Sequence, residues 1–414
     1  MRDRAIRPAG TYKDVMTLDL LSTMAVAGLV ITLGEWLCRR VAVLSRFSVP
    51  PPVVGGLVVA VALALSGALG APAVSFDTTL QQPLLITFFA SIGFAARIAL
   101  LRLGGPQVLR FWGLCTAAAI AQSLVGILVA MLFGLPLLFG VLVGVVTLSG
   151  GPATGMAFAP AFEAAGVGGA GAIAVASAMS GIVLGGLLGG PAASSFIRRH
   201  SLATATPPNA TPLDAPTAAV SSNAAGGDAA TNVARLTGTL ATLLVVIALG
   251  ALVSGWIGGL GVTLPAYIGA MAVAALVANL PNGERFFSPR VIDIVGQLAL
   301  SWFLAMWLMT LDLRKLDGLA WPLITNLVLQ AALLWLVLGV VWRVMGRDYD
   351  AAVMGGGFVG FMLGTTATAL AVMRTLVVQF GAAPRALLVA PLVGAFFIDF
   401  TNAFIITVFL NLLA

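Results

Sequence analysis

An all-α polytopic membrane protein, built from two inverted-topology repeats of five transmembrane helices with a re-entrant hairpin in each, is the fold this sequence predicts. Three observations predict it. The 414-residue chain is 60% hydrophobic and only 9% charged, with a mean hydropathy of +1.07, whereas about a quarter of the residues of a soluble domain carry charge. Most of its apolar stretches approach the roughly 20 residues that a spanning helix needs. Finally, Gly150-Gly151-Pro152-Ala153-Thr154-Gly155-Met156-Ala157 and Gly364-Thr365-Thr366-Ala367-Thr368-Ala369-Leu370-Ala371 share the pattern G-x-x-A-T-x-x-A, 214 positions apart (364 minus 150).

After an N-terminal tail, 1–17, the first repeat occupies 18–200 and contains apolar stretches at 18–37, 49–69, 84–101, 110–133, 137–162 and 170–196. The first stretch has no small-residue cleavage site and is expected to be a retained helix rather than a signal peptide. The stretch at 137–162 is interrupted at Gly150. Each of its arms, at 1.5 Å per residue, extends roughly 15 to 20 Å, enough to reach the middle of a bilayer but not to cross about 30 Å of hydrocarbon. It is therefore expected to be a re-entrant hairpin. Residues 201–234 have no apolar run and are crowded with Ala, Thr, Pro, Ser and Asn, as in a disordered linker. The second repeat, 235–414, has stretches at 236–256, 264–280, 293–311, 321–342, 351–379 and 386–413, with 351–379 as its hairpin.

The halves keep register. Pro50 aligns with Pro265, Phe88 with Phe303, Gln82 with Gln297, and Arg97 with Asp312, each at an offset of 215 (265 minus 50). A constant offset through separated places argues for duplication more strongly than any one match, chance likeness among Ala-, Gly- and Leu-rich helices being the alternative. With five crossings per half and the N-terminus outside, Arg2, Arg4, Arg7, Lys13, Arg314 and Lys315 alone of the 21 Lys and Arg fall outside. The positive-inside rule favours that arrangement. An odd number of crossings makes the second repeat enter from the opposite face, so the repeats are inverted.

Composition also excludes chemistries. Cys38 and Cys115 have no CxxC spacing and His200 is the only histidine, which leaves zinc, haem and iron-sulfur sites without ligands. No cofactor is expected beyond a coupling ion, and no nucleic-acid partner, since the charge behind a pI near 10.1 lies in loops beside apolar helices. An intramembrane enzyme would need a nucleophile and base, or paired acids, within reach.

Broken backbone at membrane depth survives only where protein or a water-filled cavity surrounds it, and paired interruptions point to a transport site. Ser149, Gly150, Gly151, Thr154 and Gly155 would form one tip, with Gly364, Thr365, Thr366 and Thr368 forming the other. Freed N–H groups at a helix start offer positive partial charge to an anion, and threonine hydroxyls add orientable donors. The plainer alternative is that Gly and Thr only let helices approach closely, which is the reading given to Gly185-Gly186-Leu187-Leu188-Gly189-Gly190-Pro191, a face for tight packing against a hairpin. Asp399 is the one acid well inside an apolar crossing, and Asn402 follows on the same helical face. Together they are candidate cation ligands, the alternative being a carboxylate tied to a buried arginine or to helix N-termini. Arg97 and Asp312 are expected near helix ends, Glu35 and Glu163 receive no role, and His200 reads as solvated charge after Arg198-Arg199.

These blocks carry a resemblance. Val49 to Gly56, FFASIGFAARIALLRLGG from 88, TLSGG from 147, GLLGGP from 186, RDYDAAV from 347 and VGAFFIDFTNA from 393 occur in order over nearly the whole chain apart from the linker. They resemble the bacterial sodium/glutamate symporter family, which is similar in architecture to the 2-hydroxycarboxylate (citrate/malate) transporters. The resemblance implies sodium-coupled uptake of glutamate across the inner membrane, elevator-type alternating access, a homodimer, external termini and a cytoplasmic linker. Gly150, Gly151, Thr154, Gly155, Gly364, Thr366 and Thr368 match the family's hairpin motifs. Pro152 and Ala153 stand where the family commonly has His and Gly, and Thr365 falls outside the matched set. Another small carboxylate, or proton coupling, stays open on that account. A channel would share the hairpins but conduct without coupling, and a purely structural subunit would leave Asp399 and the duplicated breaks unexplained.

Overall fold

The computed structural model describes residues 16–42, 44, 49–69, 74–202, 229–259, 265–281, 285–312, 316 and 318–413. The described chain is almost wholly helical. The first half contributes α1 (Leu20–Arg40), α2 (Pro51–Ala68), α3 (Gln81–Ala95), α4 (Ile98–Leu132), α5 (Leu137–Val141), α6 (Gly151–Ala164) and α7 (Ala170–Arg199). From the second half come α8 (Ala229–Gly258), α9 (Ala266–Ala278), α10 (Pro289–Met309), α11 (Ala320–Met345), α12 (Tyr349–Leu363), α13 (Thr366–Phe380), α14 (Pro384–Leu392) and α15 (Ile398–Leu413). A π-helical segment, Leu142–Val146, continues α5, and another, Val393–Phe397, joins α14 to α15. The π segment falls inside the first broken stretch in the first half, but between the last two helices in the second. Among the described residues, six helices are long and apolar enough to cross a membrane: Leu20–Arg40, Gly105–Leu132, Ala170–Arg199, Val233–Gly258, Pro289–Met309 and Ala320–Met345.

Three expectations need correction. Met16–Thr17, assigned to the tail, form strand β1 and pair in parallel with β2 (Val74–Ser75), a small departure from an all-α chain. The stretch at 84–101 is not one helix: α3 ends at Ala95 and α4 begins at Ile98, bending again at Gly105 (φ 58, ψ −155) just before Pro106. Proline lacks the N–H and crowds the preceding turn, so the apolar run cannot continue straight. Ala229 to Ala234, assigned to the linker, are the first turns of α8, an alanine-containing sequence whose helix propensity outweighs its polar residues. The rest of the tail (1–15) and of the linker (203–228) lie outside the described residues.

The sequence halves are not the packing units. One bundle is made of α1, α2 and α3 from the first half with α8, α9 and α10 from the second; the remaining helices of both halves form another, and sparse contacts join the two, among them Tyr267 of α9 with Phe158 of α6 and Trp307 of α10 with Gly171 of α7. Burial separates them as well. Only 22% of the spanning windows of Leu20–Arg40 and of Val233–Gly258 is buried, against 56% for Ala170–Arg199, so the first bundle turns its outer helices to the surroundings while the second encloses α7.

Candidate functional site

Close packing in the second bundle depends on glycine. On α7, Gly181, Gly185 and Gly189 face Leu363, Gly360 and Gly356 of α12, where an added Cβ on Gly185 would stand 3.1 Å from the Gly360 oxygen. The glycine-rich stretch therefore packs against the arm of the second broken segment, as read from the sequence. That arm starts in the RDYD block. Asp348 caps α12 by accepting from Ala351 N at 2.9 Å and pairs with Arg385, while Asp350 accepts from Ala386 N at 3.0 Å in the first turn of α14.

The two breaks meet. Gly151 has φ +69, a left-handed conformation that glycine adopts without the Cβ penalty, and this reverses the chain between Ser149 and α6. A Cβ added there would stand 3.5 Å from Thr365 Cγ2 and 3.9 Å from the Gly364 oxygen. Residues 214 positions apart in sequence are thus in contact range. Gly150 donates its N–H to the Val145 carbonyl at 3.1 Å, and Thr154, 6% exposed, packs its Cβ against Gly150. Ser149 is buried with its hydroxyl 4.0 Å from Met362 Sδ, and Gly155 lies against Ala174 and Thr147.

At the second break the threonines are engaged by neighbours. Thr365, in extended conformation, caps α13, its hydroxyl accepting from Thr368 N at 3.3 Å and lying 3.2 Å from the Thr368 hydroxyl. Thr366 donates to the Gly394 carbonyl at 2.9 Å, in the π segment before α15. Gly364 closes α12 through its N–H on the Phe361 carbonyl. No side chain caps α6 at the first break, so its leading N–H groups lack the partner that Thr365 supplies to α13.

Of the candidate cation ligands, Asn402 is 1% exposed and donates Nδ2 to the Val145 carbonyl at 3.4 Å, the same carbonyl that accepts from Gly150. Its Oδ1 is buried without a hydrogen-bond partner. Asp399 stands three residues before it on α15, partly buried, and no arginine pairs with it among the described residues. Between them Thr401 accepts from Trp112 Nε1 at 2.8 Å, fastening α15 to α4.

The remaining residues singled out in the sequence lie elsewhere. The Arg97 guanidinium sits 5.7 Å from the Phe287 ring centroid. Asp312 and Glu163 line a cleft of about 170 Å³ with Gly171, Trp307 and Thr310, at the seam where α10 of the first bundle meets α6 and α7 of the second. His200 is not simply solvated: its ring stacks on Phe196, centroids 4.3 Å apart, and lies 4.8 Å from Trp342. Sequence reasoning passed over Gln122, Asn326 and Gln330, all 0% exposed. Isolated amides inside apolar spans were the signal that could have found them, because polar groups in such helices are costly unless they are bonded across helices.

Known proteins resemble this chain over nearly its full length. The family described as sodium/glutamate symporter matches residues 16–382. The sodium/glutamate symporters of Escherichia coli (strain K12) and Shigella flexneri are each 39% identical over 399 residues, 95% of this chain and 98% of the relative. That of Haemophilus influenzae is 35% identical over 396 residues, 95% of this chain and 97% of the relative.

Proposed function

The chain belongs to the sodium/glutamate symporter family, and on that premise we propose that it carries glutamate into the cell together with sodium by alternating access across the bacterial inner membrane. The observation that carries this reading is the approach of Thr365 to Gly151, close enough that a Cβ on the glycine would touch it. It supports treating the two broken segments, 137–162 and 351–379, as re-entrant hairpins of inverted repeats whose tips form one site near the membrane midplane. The anionic cargo is held there by the open N–H groups of α6, by Ser149 and Thr154, and by Gly150, Gly151 and Gly155 of the first tip with Gly364, Thr365, Thr366 and Thr368 of the second. N–H groups at a helix start attract a carboxylate through both hydrogen bonding and the helix dipole.

Asp399 and Asn402 hold the sodium ion beside that tip. Val145 supports this placement, since its carbonyl joins Asn402 to Gly150 of the first break. The second bundle would move relative to the first and carry the site between faces, a motion for which their sparse contacts leave room. In the same reading the protein is a homodimer, the termini are periplasmic and the linker is cytoplasmic. Pro152 beside Gly151 favours a second reading, another small carboxylate as cargo, because a proline there contributes no N–H to the tip.

Uptake of labelled amino acids and dicarboxylates into proteoliposomes, with and without a sodium gradient, tests both. Glutamate accumulation that requires the gradient is expected. Gradient-driven accumulation of a dicarboxylate without glutamate would move the assignment to the second reading, and uptake indifferent to sodium would overturn sodium coupling.

A further inference from the structure

Three amide side chains lie between helices that are otherwise apolar at this depth. Gln122 belongs to α4, Asn326 and Gln330 to α11, and all three are 0% exposed. Each of their nitrogens makes at least one bond, and Gln330 Nε2 makes two. Gln122 Nε2 donates to the Met362 carbonyl at 2.8 Å, Asn326 Nδ2 to the Val143 carbonyl at 2.6 Å, and Gln330 Nε2 to the Gln122 carbonyl at 2.8 Å and to Asn326 Oδ1 at 3.2 Å. The bonds run crosswise between the halves. A first-half helix holds the arm that leads to the second break, and a second-half helix holds the arm that leads to the first. Between them Gly144 leaves helical geometry (φ −93, ψ −113), and a Cβ on it would stand 3.5 Å from Gln330 Nε2.

Two oxygens are left over. Gln122 Oε1 and Gln330 Oε1 are buried and have no hydrogen-bond partner. Rotating either amide by half a turn would only aim its oxygen at the carbonyl that its nitrogen now satisfies. A water molecule could donate to these oxygens while accepting the second N–H of Gln122 or Asn326, and a cation is the alternative occupant. A cation needs oxygens only. Amide and carbonyl oxygens replace the hydration shell of a monovalent ion in just this manner.

We propose that Gln122 and Gln330 coordinate a sodium ion between α4 and α11, at a site distinct from that of Asp399 and Asn402. The proposal rests on the sodium-coupled reading above. None of the three side chains that build the site is an acid, so the ion's charge is balanced chiefly from outside, by the anionic cargo held at the breaks a few residues beyond Gly144 and Met362. The coupling follows from this neutrality: ion and cargo each bind weakly without the other.

The full-length protein in proteoliposomes tests this, with the sodium concentration for half-maximal uptake measured at saturating labelled glutamate. Gln122→Met and Gln330→Met, close in volume and lacking the oxygen, are expected to raise that concentration threefold or more. Ser123→Ala, which removes a buried hydroxyl bonded only within α4 to the Ala119 carbonyl, leaves it unchanged. A rise below threefold in both methionine variants would overturn the proposal and leave the oxygens facing water. Should the methionine variants fail to fold or to transport, Gln330→Glu decides, since it keeps an oxygen and adds a negative charge. A threefold lower half-saturating sodium concentration is then required, and an unchanged or higher one contradicts the site. Wild-type uptake indifferent to sodium would instead remove the transport reading on which the proposal stands.

Discussion

The two breaks carry the same sequence pattern and solve the same backbone problem differently. At the first, Gly151 turns the chain with a positive φ and leaves α6 without a side-chain cap. At the second, Thr365 stays extended and caps α13 with its own hydroxyl, while Thr366 bonds the Gly394 carbonyl. The difference divides the labour of the site. In the proposed reading the open N–H groups of the first break take the larger share of the anion, whereas the threonines of the second, engaged by neighbours, add less and lend rigidity.

Substituting Gly151 should break this comparison most severely. A β-branched residue in the left-handed region costs about 3 kcal/mol, the upper end for such strain, or roughly a hundredfold at tenfold per 1.4 kcal/mol. Gly151→Val also crowds Thr365, so initial uptake in proteoliposomes should fall by about that factor while membrane insertion persists. Gly185→Leu should come next. It forces α7 off α12 where a Cβ is already tight, and overpacking of this kind costs about 1–3 kcal/mol, read as a lower midpoint of thermal unfolding in detergent.

Thr154→Ala should weaken uptake by raising the half-saturating cargo concentration, because its hydroxyl stands at the uncapped break. Unchanged kinetics in vesicles would remove it from the site. The smallest effect belongs to the cap. Thr365→Ala should cost about 1 kcal/mol of stability and Thr365→Gly only a few tenths, both measured by thermal unfolding. A loss of cargo affinity in Thr365→Gly larger than that in Thr154→Ala would contradict the greater share of the cargo given to the first break.

Local pattern made part of this legible in sequence. The breaks, their offset and the glycine face of α7 are short runs whose residue types dictate geometry: glycine for reversal and close approach, threonine for a helix start. What the sequence hid is relational. That Thr366 reaches Gly394, that Asn402 and Gly150 share the Val145 carbonyl, and that Gln122 and Asn326 brace the opposite halves are contacts across 28, 257, 240 and 183 positions, which no local periodicity encodes. The same holds for the two bundles. The constant offset of matching residues suggests two halves, yet the packing units draw helices from both.

Paired equilibrium titrations of the purified protein test the account's central claim most directly: glutamate affinity measured with and without sodium, and sodium affinity measured with and without glutamate. If the meeting breaks hold cargo and ion together, each ligand tightens the other by the same factor, typically about 5- to 150-fold for coupled sites. Glutamate binding that is equally tight in the absence of sodium would contradict it.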